Sequence, residues 1–280
     1  MAGLSKETCL CISRIKSSFK DTIGNTPTGY GTGFWCLTEK QNKIYVTNKH
    51  NVNCNVKFRS KEIFDLTDFQ IELRKKDGNN FFFETEFFSV NLTETSLITE
   101  ENIDLAVFVN PTFKEHKSNY EYKLLGISEW SANHDFFANR SRIASDVSFV
   151  GYPTNFYDSM WKLPIARHAI IASLPEIGFS HNEINLNDIV LVSGLSFGGG
   201  SGSPVFSSQR GLKINLDRGF VETDDYCPQK LLGVMTGHLQ FPKETEKFMT
   251  RKEEEFTRHS GLSYFTKFTA LDNIIRKNNL

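Results

Sequence analysis

Residues 196–206 of the 280-residue chain read SFGGGSGSPVF, a run of glycines and serines that returns to strand-forming residues at its end. Acyl transfer needs an exposed hydroxyl on a tight turn, with backbone N–H groups directed at the oxygen on which negative charge develops. Glycines allow the backbone angles of such a turn and the close approach of a substrate carbonyl. A phosphate-binding loop would need a lysine before the hydroxyl residue, and none is present. The run favours a nucleophile turn carrying Ser201, although a glycine-rich hairpin has a similar composition.

Two other segments place a histidine and an aspartate at the ends of predicted strands. Residues 44–50 form a strand-like run that ends in His50, which would leave the imidazole at the mouth of a barrel. Residues 103–109 form an apolar run with Asp104 at its head. A histidine or aspartate at a strand end is, taken alone, more often an ordinary surface or turn residue. Only the combination of the three segments indicates chemistry.

Together, these segments resemble the trypsin and chymotrypsin superfamily of serine peptidases, and most closely its bacterial trypsin-like, Deg-type branch. In that branch a Gly-Ser/Thr-Gly-Phe strand precedes Val-Thr-Asn-x-His, an Asp-Leu-Ala-Val strand follows, and Gly-Asn-Ser-Gly-Ser-Pro carries the nucleophile. The matching stretches here are GTGF at 31–34, VTNKH at 46–50, DLAV at 104–107 and GGSGSP at 199–204. The order His, Asp, Ser along the chain is that of the chymotrypsin type. The resemblance extends at low identity over about residues 9–271.

The resemblance implies a role for each residue of the three motifs. Ser201 would attack the scissile carbonyl, His50 would take up its proton, and Asp104 would orient the imidazole. The backbone N–H groups of Gly199 and Ser201 would form the oxyanion hole. No metal or organic cofactor is implied, and the expected partner is a protein or peptide substrate.

The resemblance also implies which residues contact the substrate. Thr236, Gly237 and His238 match the strand edge along which extended peptides pair as an additional strand. His238 is otherwise an exposed loop histidine. The floor of the primary pocket lies six residues before the nucleophile, at Leu195. An apolar residue there argues against cleavage after Lys or Arg and favours a small or aliphatic residue.

Two departures from the secreted members of the superfamily concern activation and redox state. The residue before the nucleophile is Gly200 rather than the aspartate that binds the new N-terminus of an activated zymogen. The residue after the histidine is Asn51 rather than a cysteine. We therefore expect regulation, if any, through ordering of loops, by a regulator that the sequence does not identify. The polar segments 210–229 and 243–258 are either solvated insertions or a rim that selects substrates or receives that regulator.

Short apolar and aromatic runs separated by Gly, Asn and Asp indicate an all-β protein. We predict two antiparallel β-barrels of the six-stranded, chymotrypsin-like type and a short C-terminal α-helix, because Phe268, Leu271 and Ile274 recur at helical spacing. The first barrel, residues 1–120, would carry the histidine and aspartate, and the second, residues 121–280, the nucleophile. The predicted strands are 9–16, 31–38, 43–48, 53–59, 69–74, 81–90, 103–109, 147–152, 165–173, 189–193, 204–208 and 231–236.

The composition limits the classes of partner. With 32 basic and 33 acidic residues the net charge is −1, which disfavours binding to nucleic acid or to an anionic membrane. No apolar run has the length of a membrane span, and the N-terminus lacks a signal-peptide pattern, so we expect a cytoplasmic protein. Five scattered cysteines indicate free thiols rather than a disulfide framework or a zinc site.

Three other functions are compatible with parts of this pattern. A catalytically silent protein with the same fold would bind partners without cutting them. An esterase of the α/β type would place its serine inside Gly-x-Ser-x-Gly, with the histidine last in the chain, and neither condition holds here. A β-rich interaction module would carry the motifs by coincidence, and replacing His50 would leave its function intact.

Overall fold

The computed structural model describes residues 4–55, 63–77, 80–115, 117–181, 184–186, 188–211, 219, 226–240 and 259–280. Segment 243–258, most of segment 210–229 and the end of the predicted strand 53–59 lie outside the described residues. Strands dominate the described chain and form one large sheet and one closed barrel, with few helices. The predicted all-β class is therefore confirmed.

Nine strands of the N-terminal half form a single sheet. They are β1 (Ile12–Asp21), β2 (Thr28–Leu37), β3 (Lys43–Thr47), β4 (Phe64–Asp77), β5 (Asn80–Ser89), β6 (Ser96–Glu100), β7 (Ile103–Val109), β8 (Tyr120–Glu121) and β9 (Leu125–Gly126). Their order is β5-β4-β1-β2-β3-β7-β6, with β8 beside β4 and β9 beside β2. Since β3 and β7 are antiparallel, with Thr47 opposite Ala106, the end of β3 lies beside the start of β7.

Six strands of the C-terminal half close into an antiparallel barrel, in the order β10-β11-β14-β17-β16-β15. The strands of this half are β10 (Asp146–Gly151), β11 (Ile165–Ile171), β12 (Phe179–His181), β13 (Ile184–Leu186), β14 (Ile189–Ser193), β15 (Pro204–Ser207), β16 (Leu231–Gln240) and β17 (His259–Lys267). The hairpin of β12 and β13 stands apart from the barrel. Because β14 and β15 are three places apart in the closed order, residues 194–203 cross one end of the barrel.

The helices are short. They are α1 (Lys6–Leu10), α2 (Ile127–Trp130), α3 (His134–Asn139) and α4 (Phe268–Lys277), with 3₁₀ turns at Lys49–Asn51 and Pro153–Asn155. The predicted C-terminal helix is confirmed as α4. No helix among the described residues is long and apolar enough to cross a membrane.

The prediction of a strand over residues 9–16 is wrong at its beginning. Ser5 caps α1 by accepting a hydrogen bond from the N–H of Thr8 (3.2 Å), so Cys9 lies in a helix and the strand starts at Ile12. Cys9 and Cys11 therefore do not alternate along a strand. All five cysteines lie in the described part of the chain and are free thiols, as predicted.

The sheet and the barrel share one apolar core. Phe34 and Leu105 of the sheet belong to the same buried cluster as Val150 and Phe206 of the barrel, and Leu271 of α4 completes it. Burying one such side chain contributes about 1.5–3 kcal/mol. This core fixes the position of the β3–β7 corner relative to the barrel end that residues 194–203 cross.

Candidate active site

His50 and Asp104 form a close, two-point contact at the β3–β7 corner. The backbone N–H of His50 donates to Oδ1 of Asp104 (2.9 Å), and the ring nitrogen Nδ1 lies 2.6 Å from Oδ2. The 3₁₀ turn Lys49–Asn51 after β3 presents both groups of the histidine to the carboxylate. A carboxylate can only accept, so Nδ1 carries the proton and Nε2 is the acceptor of the neutral ring.

The second ring nitrogen of His50, Nε2, is buried. Nε2 of His50 has no hydrogen-bond partner among the described residues. The histidine side chain is 9% exposed and that of Asp104 is 23% exposed. The pair thus holds an unused acceptor at the edge of a cleft.

Ser201 lies in the same cleft, on the loop that crosses the barrel end. The cleft has a volume of about 340 Å³, and the residues that line it are His50, Asp104, Ser196, Phe197, Gly198, Ser201, Met235, Thr236, Gly237, His238 and Tyr264. The Ser201 hydroxyl donates to the carbonyl oxygen of Thr236 (3.4 Å) rather than to His50. The three predicted catalytic side chains therefore line one cavity, with the serine turned toward β16.

Two backbone N–H groups in this loop, those of Gly199 and Ser201, donate no hydrogen bond to the described residues. The carbonyl of Gly198 accepts from Thr154 N–H, and that of Gly200 accepts from Ser203 N–H (3.1 Å). In a trans peptide the N–H points opposite to the C=O. The N–H groups of Gly199 and Ser201 therefore point away from these partners, and neither donates a backbone hydrogen bond in the described chain.

Glycine is required at two places in this loop. Gly199 has φ +82° and Gly202 has φ +91°, a region that side chains disfavour. A Cβ on Gly199 would lie 2.5 Å from the carbonyl oxygen of Tyr152, and one on Gly202 would lie 1.9 Å from that of Thr32. The sequence signal GGGSG thus reflects both conformation and close packing.

The first sheet holds the loop from the opposite side. Thr32 N–H donates to the carbonyl of Ser201 (3.0 Å), and Nδ2 of Asn51 donates to the same oxygen (3.2 Å). The hydroxyl of Thr32 donates to the carbonyl of Gly199 (2.8 Å) and accepts from Tyr152 N–H (3.0 Å). These contacts hold the loop although Gly200 offers no side chain for an ion pair.

A buried arginine supports the turn that contacts Gly198. Arg14 donates from Nε and Nη2 to Glu72 (3.2 and 3.0 Å) and from Nη1 to Oδ1 of Asn155 (2.8 Å). Thr154 and Asn155 both have positive φ, at 47° and 60°. Sequence reasoning missed these residues, because 141 positions separate Arg14 from Asn155 and no motif links them.

The predicted substrate-contacting residues divide into two groups. Thr236, Gly237 and His238 lie on β16 and line the cleft. Leu195 does not line it and is 48% exposed. The next residue, Ser196, is buried and lines the cleft instead, and its hydroxyl donates to the carbonyl of Gly237 (3.3 Å).

The fold is that of a protease of known structure, although no protein-family model and no curated protein sequence matches the chain. The chain is similar to the crystal structure of the protease Anisep from Arthrobacter nicotinovorans, with a TM-score of 0.52. The match covers 98% of this chain and 97% of that chain, at 12% sequence identity. At this identity the likeness shows the fold, and the function has to be argued from the site.

Proposed function

We propose that the protein is a chymotrypsin-like serine endopeptidase that uses Ser201, His50 and Asp104. The observation that carries the proposal is the two-point contact between Asp104 and His50, which leaves Nε2 unused beside the cleft that holds the Ser201 hydroxyl. A structural histidine would normally satisfy both ring nitrogens when buried. The resemblance of the three motifs to the Deg-type branch supports the same assignment.

The chemistry begins with a change of rotamer. Rotation about χ1 of Ser201 moves its hydroxyl from Thr236 toward Nε2 of His50. The oxygen then bonds to the substrate carbonyl carbon while its proton passes to Nε2. The C–N bond breaks, the amine leaves with that proton, and an ester to Ser201 remains. Water attacks the ester, gives a proton to Nε2, and the acid is released as Ser201 recovers its hydrogen.

Two fixed dipoles would stabilise the tetrahedral intermediate. The unused N–H groups of Gly199 and Ser201 are suited to bind the carbonyl oxygen as it becomes negative. Each belongs to a peptide unit whose carbonyl accepts a hydrogen bond, and this contact fixes the orientation of the N–H group. One such donor is worth about 10²–10³ in rate in serine peptidases. Thr236, Gly237 and His238 would pair with an extended peptide, as a strand edge does.

A second candidate function is a catalytically silent scaffold that binds protein partners. The observation that favours it is the Ser201 hydroxyl, which is bonded to Thr236 and not to the histidine. The two functions differ in whether the serine reacts.

Labelling of the purified protein with a fluorophosphonate, read as intact mass, separates the two candidates. We expect a single adduct on the wild type, none on Ser201→Ala, and labelling slowed by at least about 10²-fold in His50→Ala. The matched control is Ser193→Ala, an exposed serine on the same side of the barrel, which should label like the wild type. An unlabelled but folded wild type, in buffer and in cell extract, would contradict the peptidase and favour the scaffold.

A further inference from the structure

An arginine lies inside the barrel, at the end that residues 194–203 cross. Ala169 and Ile171 of β11 are buried in the barrel, while His168 and Ile170 are exposed. Strand side chains alternate, so Arg167 belongs to the inward-pointing set, opposite Phe149 of β10. Since β11 is antiparallel to β14, its first residues lie beyond the last residue of β14, where the crossing loop begins. The guanidinium is therefore beneath the loop that carries the nucleophile.

One nitrogen of this guanidinium has no acceptor in the part of the chain that the structure describes. Its Nη1 is buried and has no hydrogen-bond partner within the described ranges. The guanidinium carbon lies 4.5 Å from the ring centre of Phe197 and 5.5 Å from that of Phe149. Aromatic rings attract a cation but do not replace a hydrogen-bond acceptor. The side chain is half-buried, and a buried guanidinium nitrogen without an acceptor is unfavourable, so this place next to the cleft-lining Phe197 favours an anion.

Other cationic or protonatable groups surround the same place. Phe197 and His238 both line the cleft. The ring of His238 stacks on that of His259 at 4.4 Å, and the His259 ring lies 6.5 Å from that of Phe197. Of the described residues that line the cleft, only Asp104 carries a carboxylate, and both of its oxygens are engaged. The pocket therefore has no free negative charge to oppose an acidic group.

We propose that the pocket between residues 196–198 and 236–238 selects a carboxylate side chain, glutamate or aspartate, at the residue before the cleaved bond. The inference rests on the proposed peptidase function. Arg167 lies behind Phe197, which lines the pocket, and supplies the positive charge that attracts the carboxylate. A lysine or arginine side chain would meet like charge, and glutamine would fit without gaining the ion pair. This preference replaces the small or aliphatic residue that Leu195 suggested.

The test is a series of fluorogenic peptides that differ only in the residue before the cut, namely Glu, Asp, Gln, Leu and Lys. We expect kcat/KM for Glu or Asp to exceed that for Gln by at least 100-fold. Arg167→Met should lower the value for the acidic peptide at least 30-fold and leave the Gln and Leu peptides within threefold. Arg167→Lys should recover part of the loss, and Arg276→Met, which removes an exposed arginine of α4, should change nothing.

A binding measurement keeps this test separate from the proposed function. Peptides that end in Glu or Gln are titrated into Ser201→Ala, where we expect the Glu peptide to bind at least tenfold tighter and Arg167→Met to abolish the difference. Cleavage after Leu or Lys as fast as after Glu would overturn the acidic preference and leave the peptidase standing. A failure of fluorophosphonate labelling would instead overturn the peptidase. Equal binding of the two peptides would then overturn the carboxylate site as well.

Discussion

The hydroxyl of Thr32 connects two backbone groups of the barrel, the carbonyl of Gly199 and the N–H of Tyr152. Thr32 is fully buried, so no water can take over either contact. Thr32→Val keeps the shape of the side chain and removes only the hydroxyl. Both backbone groups then lose a partner, and the Gly199–Gly200 peptide keeps only the hydrogen bond from Gly200 N–H to the carbonyl of Phe197 (3.0 Å).

The expected magnitude follows from these two groups. An unsatisfied buried polar group costs about 1–3 kcal/mol, so with two such groups the free energy of unfolding should fall by about 2–6 kcal/mol. A full loss of one oxyanion donor costs about 10²–10³ in rate. The Gly199–Gly200 peptide links the two predicted donors, so its loosening is a partial loss and should slow the fluorophosphonate reaction by about 10–100-fold. Urea denaturation measures the first quantity and time-resolved intact mass the second.

Thr32→Ser is the matched control, because it keeps the hydroxyl and loses only a methyl group. Its reaction rate should stay within about threefold of the wild type, with a stability loss of about 1 kcal/mol. If Thr32→Val reacted as fast as Thr32→Ser, the hydroxyl would not hold the nucleophile loop. If Thr32→Val were as stable as the wild type, the estimated cost of leaving the two backbone groups without a partner would be wrong.

Three further outcomes are expected. Gly202→Ala places a Cβ 1.9 Å from a carbonyl oxygen at φ +91° and should cost about 3 kcal/mol or more in urea, whereas Gly29→Ala, with open space around it, should cost under about 1 kcal/mol. Arg14→Met leaves the Glu72 carboxylate buried and unpaired and should destabilise by about 3–5 kcal/mol, with partial recovery in Arg14→Met/Glu72→Gln. Burial, His238 and Arg167 lower the pKa of His259, so the unfolded chain binds its proton first as the pH falls. Stability should therefore drop below about pH 6.5, and the drop should be smaller in His259→Gln; an identical pH profile would exclude this group.

The parts of the site that sequence could predict are those encoded locally. A strand ending in a histidine, a strand beginning with an aspartate and a glycine-rich loop can each be read within about ten residues. The antiparallel pairing of β3 and β7 then brings His50 and Asp104 together. The β-barrel was predicted from short apolar and aromatic runs. Helix α4 was predicted from the helical spacing of its apolar residues.

The missed features depend on partners far away in the chain. Arg14 and Asn155 meet across the two halves, and neither segment shows a pattern that indicates the other. Strand β17 was not predicted because its first residues, HSGLS, lack the run of apolar and β-branched residues that indicates a strand. The start of β1 was predicted too early. The spacing of Cys9 and Cys11 is that of a strand, but Ser5 caps a helix over this segment. Arg167 was overlooked because its significance appears only when the barrel closes around it.

The closing strand has a consequence for the timing of activity. β17 joins β14 to β16 and is the last strand of the described chain, so the barrel cannot close on a ribosome until residue 267 has emerged. Under the proposed function, a nascent chain that already contains His50, Asp104 and Ser201 would therefore not cut other proteins before that point. Under the proposed function, completion of the barrel would take the place of an ion-pair zymogen, for which the glycine at residue 200 offers no carboxylate.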